Sequence, residues 1–264
     1  MSGGARRDAG PEVVAGAGND LETPTVHGPV ARRHLLVAFP HPDDESFATG
    51  GTIAMHADAG VPVTYLCGTH GDMGRNMGVP FFANRETLRD VREAELRDAC
   101  RILGCEPRLM GLRDKTVEFE DPDVLAERIA QTIRDTHADL VVTFFPGRAV
   151  HPDHDAMGEA VVRAVRSLPA QDRPTLWAVA VGDRDALDAE LGPADVVVDV
   201  RAFGDRKMRA LQAHASQTTA TFARMAADGE GAEALRTQFE RSRTIERFRT
   251  LHVDAGGIAS GDAS

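Results

Sequence analysis

Short apolar runs alternate along this chain with segments in which apolar residues recur every three or four positions. The runs at 34–39, 61–68 and 140–145 predict strands with both faces buried, as in a parallel sheet. Two further strands are predicted at 175–181 and 196–200. Strands of this kind, separated by helices, form mostly parallel sheets that are covered by helices on both faces.

The predicted helices carry recognisable ends as well as a helical period. Apolar residues recur at helical spacing between Glu86 and Leu103, and Gly104 is placed to end that helix. Farther along, Asp121 and Pro122 provide an N-cap followed by a proline at the first helical position. The alternation of elements predicts an α/β fold, a Rossmann-like three-layer sandwich with a mostly parallel sheet.

This regular pattern is confined to the central part of the chain, at 33–253. The segment before it is rich in Gly, Ala, Pro and acidic residues and has few large apolar side chains. Segments of that composition bury too little surface to offset the entropy that they would lose on ordering. We therefore expect a single domain at 33–253, a disordered N-terminal tail at 1–32 and a disordered C-terminal tail at 254–264.

The charge balance narrows the classes of partner. Thirty basic and 41 acidic residues give a net charge of −11. Nucleic acids and anionic membranes bind clustered Lys and Arg, so neither is expected as a partner, whereas a small anion needs only one or two local cations. The cysteines, Cys67, Cys100 and Cys105, form no CxxC pair and are odd in number. That pattern is typical of a reduced, cytoplasmic protein.

Candidate metal ligands follow two of the predicted strands. The sequence HPDDE at 41–45 comes after the strand at 34–39, and HPDH at 151–154 comes after the strand at 140–145. In open α/β sheets, ligands bind beyond the carboxyl ends of the strands. A single His-Pro-Asp sequence is weak evidence, because its aspartate can simply cap the following helix. Two copies at two strand ends favour a metal site.

The residue types in these clusters are those that bind zinc. His41 and Asp44 are three positions apart, as are His151 and His154, so each pair can face one side of a tight turn. Two imidazoles and one carboxylate suit a zinc ion that keeps an open position for water. On chemistry alone, the choice of ligands stays open among His41, Asp43, Asp44, His151 and His154.

These two clusters resemble those of a known family. The sequence PHPDDE at 40–45 together with HPDH at 151–154 resembles the zinc-dependent N-acetylglucosaminyl deacetylases, the PIG-L or LmbE-like family. The similarity covers nearly all of 34–250. The segments 71–115 and 147–151 look most like bacillithiol-biosynthesis deacetylases, which remove acetate from an N-acetylglucosaminyl-malate precursor. The resemblance implies a hydrolase with bound Zn²⁺, an amino-sugar substrate and a homo-oligomer, either a trimer or a hexamer.

The resemblance also implies a role for individual residues. The implied zinc ligands are His41, Asp44 and His154, the implied catalytic residues are Asp43, His151 and Asp153, and the implied substrate contacts are Arg75, Asn76, Arg92 and Asp114. Asp43 would act as general base, and a protonated His151, oriented by Asp153, would stabilise the charge on the carbonyl oxygen. His70 and His214 fall in family-like segments, and the sequence leaves open whether they line the site.

Other functions share parts of this pattern. The mycothiol precursor, a chitooligosaccharide and an antibiotic intermediate all present the same acetamide. Some relatives have a tyrosine two residues before the histidine that matches His151, and Ala149 there weakens the mycothiol alternative. Non-haem iron oxygenases also use two histidines and a carboxylate, but commonly on an all-β scaffold. A non-catalytic binding module would not need Asp43 free beside the ligand Asp44.

Overall fold

The computed structural model describes residues 13–14, 25–26, 28, 32–254 and 257–260. Within that part of the chain, one sheet is formed by the strands β1 (Val13–Val14), β2 (Thr25–Val26), β3 (Leu35–Phe39), β4 (Val63–Thr69), β5 (Glu106–Leu112), β6 (Leu140–Phe144), β7 (Thr175–Val179), β8 (Val196–Asp199), β9 (Ile245–Asp254) and β10 (Gly257–Ser260). The helices are α1 (Asp44–Asp58), α2 (Leu88–Leu103), α3 (Pro122–Thr136), α4 (Pro152–Ser167), α5 (Arg184–Leu191), α6 (Gly204–Ala213), α7 (Ala215–Ala226) and α8 (Glu230–Ser242). Among these described helices, none combines the length and the apolar character that a bilayer crossing requires.

The sheet is mostly parallel. Its strands lie in the order β1-β2-β8-β9-β7-β6-β3-β4-β5, and β10 pairs with β9. Strands β3 to β7 pair in parallel with their neighbours, whereas β9 lies antiparallel between β7 and β8. The predicted α/β fold with a mostly parallel sheet is therefore confirmed.

Alternate side chains of the central strand β3 enter two separate cores. Leu36 and Ala38 are fully buried in a cluster that includes apolar residues of α3 and α4. Leu35, Val37 and Phe39 are fully buried in a second cluster, with apolar residues of α1, α2 and α6. Because both faces of the strand are covered, its sequence is apolar throughout, which explains why the run at 34–39 predicts it.

The order of the strands creates a crevice at one end of β3. From β3 the chain continues to β4 and β5 on one side, and then returns through α3 to β6 on the other side of β3. Helices therefore leave β3 and β6 on opposite faces of the sheet, and a crevice opens between them, where ligands bind in folds of this type. The HPDDE segment follows β3 and the HPDH segment begins α4. The topology thus brings the two predicted clusters to one crevice.

The predicted helix ends are also present. Gly104 follows α2 in the left-handed conformation, with φ of 89°, and its N–H donates to the carbonyl of Cys100. At the start of α3, Asp121 Oδ1 accepts hydrogen bonds from the backbone N–H groups of Asp123 and Val124 at 2.9 and 3.2 Å. Both ends match the caps that the sequence predicts.

The predicted tails at 1–32 and 254–264 lie for the most part outside the described residues. Of their described pieces, β2 pairs in parallel with β8, β1 pairs with β2, and β10 pairs with β9. These strands extend the sheet on the side of β8 and β9, away from the crevice between β3 and β6.

Candidate metal and catalytic site

The turn after β3 is held by contacts to both its backbone and its side chains. The hydroxyl of Tyr65 donates to the carbonyl of His41 at 2.5 Å, and the N–H of His41 donates to Asp44 Oδ2 at 2.9 Å. Asp43 has φ of 102°, in the left-handed region that a residue with a side chain rarely adopts. The helix α1 then begins at Asp44. This turn thus places the polar side chains of Asp43 and Asp44 at the start of α1.

The turn before α4 positions two further imidazoles. His151 is the N-cap of α4, and its Nδ1 accepts a hydrogen bond from the N–H of Asp153 at 3.1 Å. The ring of His154 stacks on Phe144, with centroids 4.1 Å apart. His154 Nδ1 lies 3.0 Å from the carbonyl oxygen of Ala149, which can only accept, so Nδ1 carries the proton. The other nitrogen, Nε2, is then available as a ligand.

The structure brings the three implied zinc ligands into mutual contact. His41 Nδ1 and His154 Nε2 lie 3.1 Å apart, and Asp44 places one oxygen 3.5 Å from the former and the other 3.4 Å from the latter. Ligand atoms at about 2.0–2.1 Å from a tetrahedral zinc ion are separated from one another by about 3.3 Å. The donor types and their spacing therefore fit a divalent metal.

Two overlapping groups among the described residues can hold a metal, each with its ligand atoms within 4.8 Å of one another: His41, His151 and His154, or His41, Asp114 and Asp153. His41 belongs to both: its Nδ1 lies 3.1 Å from His154, and its Nε2 lies 3.2 Å from Asp114 and 3.1 Å from Asp153. Metal-binding histidines commonly donate their second N–H to a carboxylate. With Nε2 donating to these two aspartates, Nδ1 faces Asp44 and His154.

Carboxylates shift the pKa values of both histidines upward. Burial alone would lower the pKa of His41, but hydrogen bonds to Asp114, Asp153 and Asp44 outweigh it and leave that pKa well above its usual value. In the same way, Asp44 outweighs the effect of burial and raises the pKa of His154. Without a metal, protonation of this pair of imidazoles therefore competes with metal binding.

Asp43 lies beside the predicted ligands and contacts an arginine. Burial raises the pKa of Asp43 to about 6, against the opposing effect of Arg92, whose Nη2 lies 3.2 Å from Asp43 Oδ2. Arg92 also donates to the carbonyls of Pro42 and of Gly71. A Cβ on Gly71 would lie 2.1 Å from Arg92 Nη1, so this close approach requires glycine. The arrangement gives a carboxylate suited to exchange protons near neutral pH.

The surroundings of His151 differ from the expectation that it is protonated and oriented by the Asp153 side chain. The contact from Asp153 to His151 is made by the backbone N–H, which requires an unprotonated Nδ1. Burial and the charge of His41 lower the pKa of His151. The Asp153 carboxylate instead accepts from the N–H groups of Lys115 and Val117 and contacts His41. A neutral His151 still carries a proton on Nε2 and can donate it to an oxyanion.

The four implied substrate contacts divide into two pairs. Arg75 and Asn76 lie exposed in the loop after β4, and Asn76 donates from Nδ2 to the carbonyl of Gln217 at 3.1 Å. Arg92 and Asp114 are only 4% and 3% exposed. Arg92 contacts the carboxylate of Asp43, and Asp114 contacts His41 and accepts from the N–H of Met73.

Two buried residues that the sequence did not assign lie behind Asp43. Glu45 and His214 are both fully buried, and His214 Nε2 lies 2.7 Å from Glu45 Oε1. The only signal in the sequence was that Glu45 completes the HPDDE segment and that His214 falls in a family-like segment. His70 is also buried, and it contacts Arg89 and Glu93 of α2 at 2.9 and 3.2 Å.

Comparison with known families gives one clear match. The family described as PIG-L, GlcNAc-PI de-N-acetylase, matches residues 36–165. A probable N-acetyl-alpha-D-glucosaminyl L-malate deacetylase 2 of Bacillus cereus is 51% identical over 189 residues, which cover 71% of this chain and 85% of the relative. A 1D-myo-inositol 2-acetamido-2-deoxy-alpha-D-glucopyranoside deacetylase of Rhodococcus opacus is 32% identical over 243 residues, covering 72% and 83% of the two chains.

The fold matches solved structures as well. An N,N'-diacetylchitobiose deacetylase from Pyrococcus horikoshii superposes with a TM-score of 0.64 at 21% identity, covering 86% of this chain and 88% of the other. At that level of identity the match shows the fold alone.

Proposed function

Since the chain belongs to the PIG-L family of de-N-acetylases, we propose that it is a hydrolase that removes the N-acetyl group of an N-acetylglucosaminide. The favoured substrate is N-acetylglucosaminyl-malate of bacillithiol biosynthesis, because the Bacillus relative named for the malate conjugate is more similar than the relative named for the inositol conjugate. The observation that carries the proposal is the mutual contact of His41, Asp44 and His154 directly beside Asp43.

We propose Zn²⁺ as the metal, held by His41 Nδ1, His154 Nε2 and the carboxylate of Asp44. Asp114 and Asp153 would accept from His41 Nε2 and keep the ring in place. When bound, a zinc ion polarises an amide carbonyl and lowers the pKa of water, which makes a poor electrophile and a poor nucleophile reactive.

The side chains around the metal account for the proton transfers of hydrolysis. Asp43 takes a proton as the water oxygen attacks the acetamide carbon, and His151 donates from Nε2 to the negative carbonyl oxygen. When the C–N bond breaks, Asp43 returns its proton to the departing nitrogen. The products are acetate and the free amine of the sugar. A pKa of about 6 lets Asp43 accept and return a proton near neutral pH.

The remaining substrate contacts are proposed from the solvent exposure and the charge of the side chains. Arg75 is an exposed cation in the glycine-rich loop after β4 and is proposed to bind a carboxylate of malate, and Asn76 beside it would contact the sugar. The buried pair, Arg92 and Asp114, is proposed to act on the substrate through Asp43 and His41. We also propose that the protein is located in a reducing cytoplasm, which is consistent with its three free cysteines. Its proposed assembly is a trimer or a hexamer.

Replacing the proposed base tests this function. We expect Asp43→Asn to keep its zinc content and to lower kcat for acetate release by about 10²–10⁴-fold, the usual contribution of general acid–base catalysis. Asp58→Asn, at the far end of the same helix, is the matched control and should retain full activity. Zinc is measured by elemental analysis and acetate by a coupled assay. A fully active Asp43→Asn variant would remove Asp43 from the mechanism.

A substrate panel tests the proposed aglycone. We expect kcat/KM to be highest for N-acetylglucosaminyl-malate when it is compared with the myo-inositol conjugate and with diacetylchitobiose. Arg75→Ala should reduce that preference, because it removes the cation proposed to bind a malate carboxylate. A higher kcat/KM for the inositol conjugate would reject malate as the aglycone but remain consistent with a deacetylase. If no conjugate releases acetate, the proposed deacetylase activity itself is rejected.

A further inference from the structure

A buried acid and a buried histidine lie directly behind the proposed base. Glu45 and His214 are both inaccessible to solvent, although they belong to α1 and to the junction of α6 and α7. His214 Nε2 lies 2.7 Å from Glu45 Oε1, and the hydroxyl of Ser46 donates to the same oxygen at 2.5 Å. His214 Nδ1 has no hydrogen-bond partner among the described residues. Within the part of the chain that the structure describes, Glu45 is therefore the one hydrogen-bond partner of the His214 imidazole.

The second oxygen of Glu45 contacts the backbone of Asp43. The N–H of Asp43 donates to Glu45 Oε2 at 3.0 Å. Asp43 has φ of 102°, a conformation that costs about 1–3 kcal/mol for a residue other than glycine and persists only where its surroundings fix it. Glu45 thus fixes the backbone of Asp43, while Arg92 contacts the Asp43 carboxylate from the other side.

We infer that Glu45 and His214 are positioning residues that hold Asp43 in the conformation needed for proton transfer, an inference that rests on the proposed function. Neither group has solvent access, so neither contacts the substrate directly. Glu45 receives three hydrogen bonds, which occupy both oxygens, and His214 orients the carboxylate from behind. Displacement of a catalytic group by about 1 Å can cost about 10²-fold in rate, so an ordered contact of this kind matters for catalysis.

A purely structural role is the main alternative, and the molecule contains a matched control for it. Glu246 is also a buried acid with a buried cation as its partner, because Lys207 Nζ lies 2.7 Å from Glu246 Oε1. Glu246 accepts from the N–H groups of Gly51 and Thr52 in the middle of α1 and makes no contact with Asp43. Loss of a buried charge at Glu246 should reduce stability without changing the geometry of the base.

The first experiment compares Glu45→Gln with Glu246→Gln. A glutamine offers one acceptor oxygen instead of two, so it cannot accept from both Asp43 and His214. We expect Glu45→Gln to lower kcat for acetate release by about 10–100-fold, with KM within about twofold and zinc content unchanged. Glu246→Gln should lower the melting temperature by a similar amount but keep kcat. Equal kcat values for the two variants would overturn the inference.

A double-mutant cycle separates action through Asp43 from an independent effect. If Glu45 acts by positioning the base, Glu45→Gln should change kcat by less than about twofold when Asp43→Asn is already present. An effect of the same size in both backgrounds would show that Glu45 does not work through Asp43. Wild-type enzyme assayed in parallel separates a failure of the proposed function from a failure of this inference. An inactive wild type would reject the proposed function. With an active wild type, the result depends on the role of Glu45.

Two variants at His214 complete the test and do not depend on the folding of Glu45→Gln. His214→Gln retains an N–H donor at the position of Nε2, whereas His214→Leu has none. We expect His214→Leu to reproduce the loss of kcat, and His214→Gln to recover most of it at unchanged KM. A similar kcat for both would mean that only the volume of the side chain matters, and it would overturn the role of His214.

Discussion

At the scale of single residues, His41 would connect the proposed metal to the aspartates that hold its ring in place. Its Nδ1 faces Asp44 and His154, and its Nε2 faces Asp114 and Asp153. The carboxylates raise the pKa of His41, so the metal-free enzyme holds a proton there near neutral pH. That proton has to leave before Nδ1 can bind a metal while Nε2 continues to donate.

Zinc binding should therefore release protons. Because the pKa of His41 is raised in the metal-free enzyme, the imidazole is protonated below that pKa and its competition with zinc grows as the pH falls. We expect proton release at pH 7 and a zinc affinity that increases as the pH rises toward the raised pKa of His41. Calorimetric titration in two buffers with different ionisation enthalpies measures the release.

A single substitution checks the cause of that release. In Asp114→Asn the pKa of His41 should fall, because one carboxylate is removed from Nε2, so fewer protons should leave at pH 7. Asp58→Asn, on the exposed end of α1, should match the wild type. A binding enthalpy that is independent of the buffer would contradict the protonation of His41.

At the scale of elements, α1 depends on a close approach to the segment after β8. A Cβ on Gly51 would lie 2.4 Å from Cβ of Val200, whereas a Cβ on Gly231, near the start of α8, meets nothing within 4 Å. We expect Gly51→Ala to lower the free energy of unfolding by about 1–3 kcal/mol through overpacking. Gly231→Ala should raise it by up to about 1 kcal/mol, because alanine favours a helix. Urea denaturation measures both, and equal effects would contradict the close contact.

The elements that the sequence predicts are those whose burial can be recognised from the apolar residues within the element itself. The runs at 34–39 and 140–145 are apolar on both faces because helices cover both faces of β3 and β6. The strand β9 was not predicted, since it carries charged residues inside the sheet. Glu246 pairs there with Lys207, and Arg249 pairs with Asp188. Their partners are distant in sequence, so no local pattern indicates that these charges are buried.

The same distinction applies to the site. His41 and Asp44 share one short segment and can be predicted as a unit from the residue types, as can His151 and His154. The contact of Asp114 with His41 joins two segments that only the sheet brings together. The sequence therefore identifies the residue types that can bind a metal. The contacts that support those residues, such as that of Asp114 with His41, depend on the fold.

At the scale of the whole molecule, the site connects parts of the chain that are far apart in sequence. His41 and His154 are separated by 113 positions, and they lie at the starts of α1 and α4 on opposite faces of the sheet. A metal held by both residues therefore links the two layers of helices. The overall charge of −11 favours the approach of a divalent cation.

This link predicts that the metal stabilises the whole fold. A ligand that binds only the folded chain at 100 times its Kd adds about 2.7 kcal/mol, and each kcal/mol raises the melting temperature of a domain of 150–250 residues by about 2–4 °C. Zinc should therefore raise the melting temperature of the EDTA-treated protein by about 5–11 °C, as measured by scanning calorimetry. His154→Ala should lose most of this shift and His252→Ala, exposed in β9, should keep it. An unchanged shift in His154→Ala would exclude His154 as a ligand, and with it a metal that joins the helices on the two faces of the sheet; the group of His41, Asp114 and Asp153 would then be the candidate site.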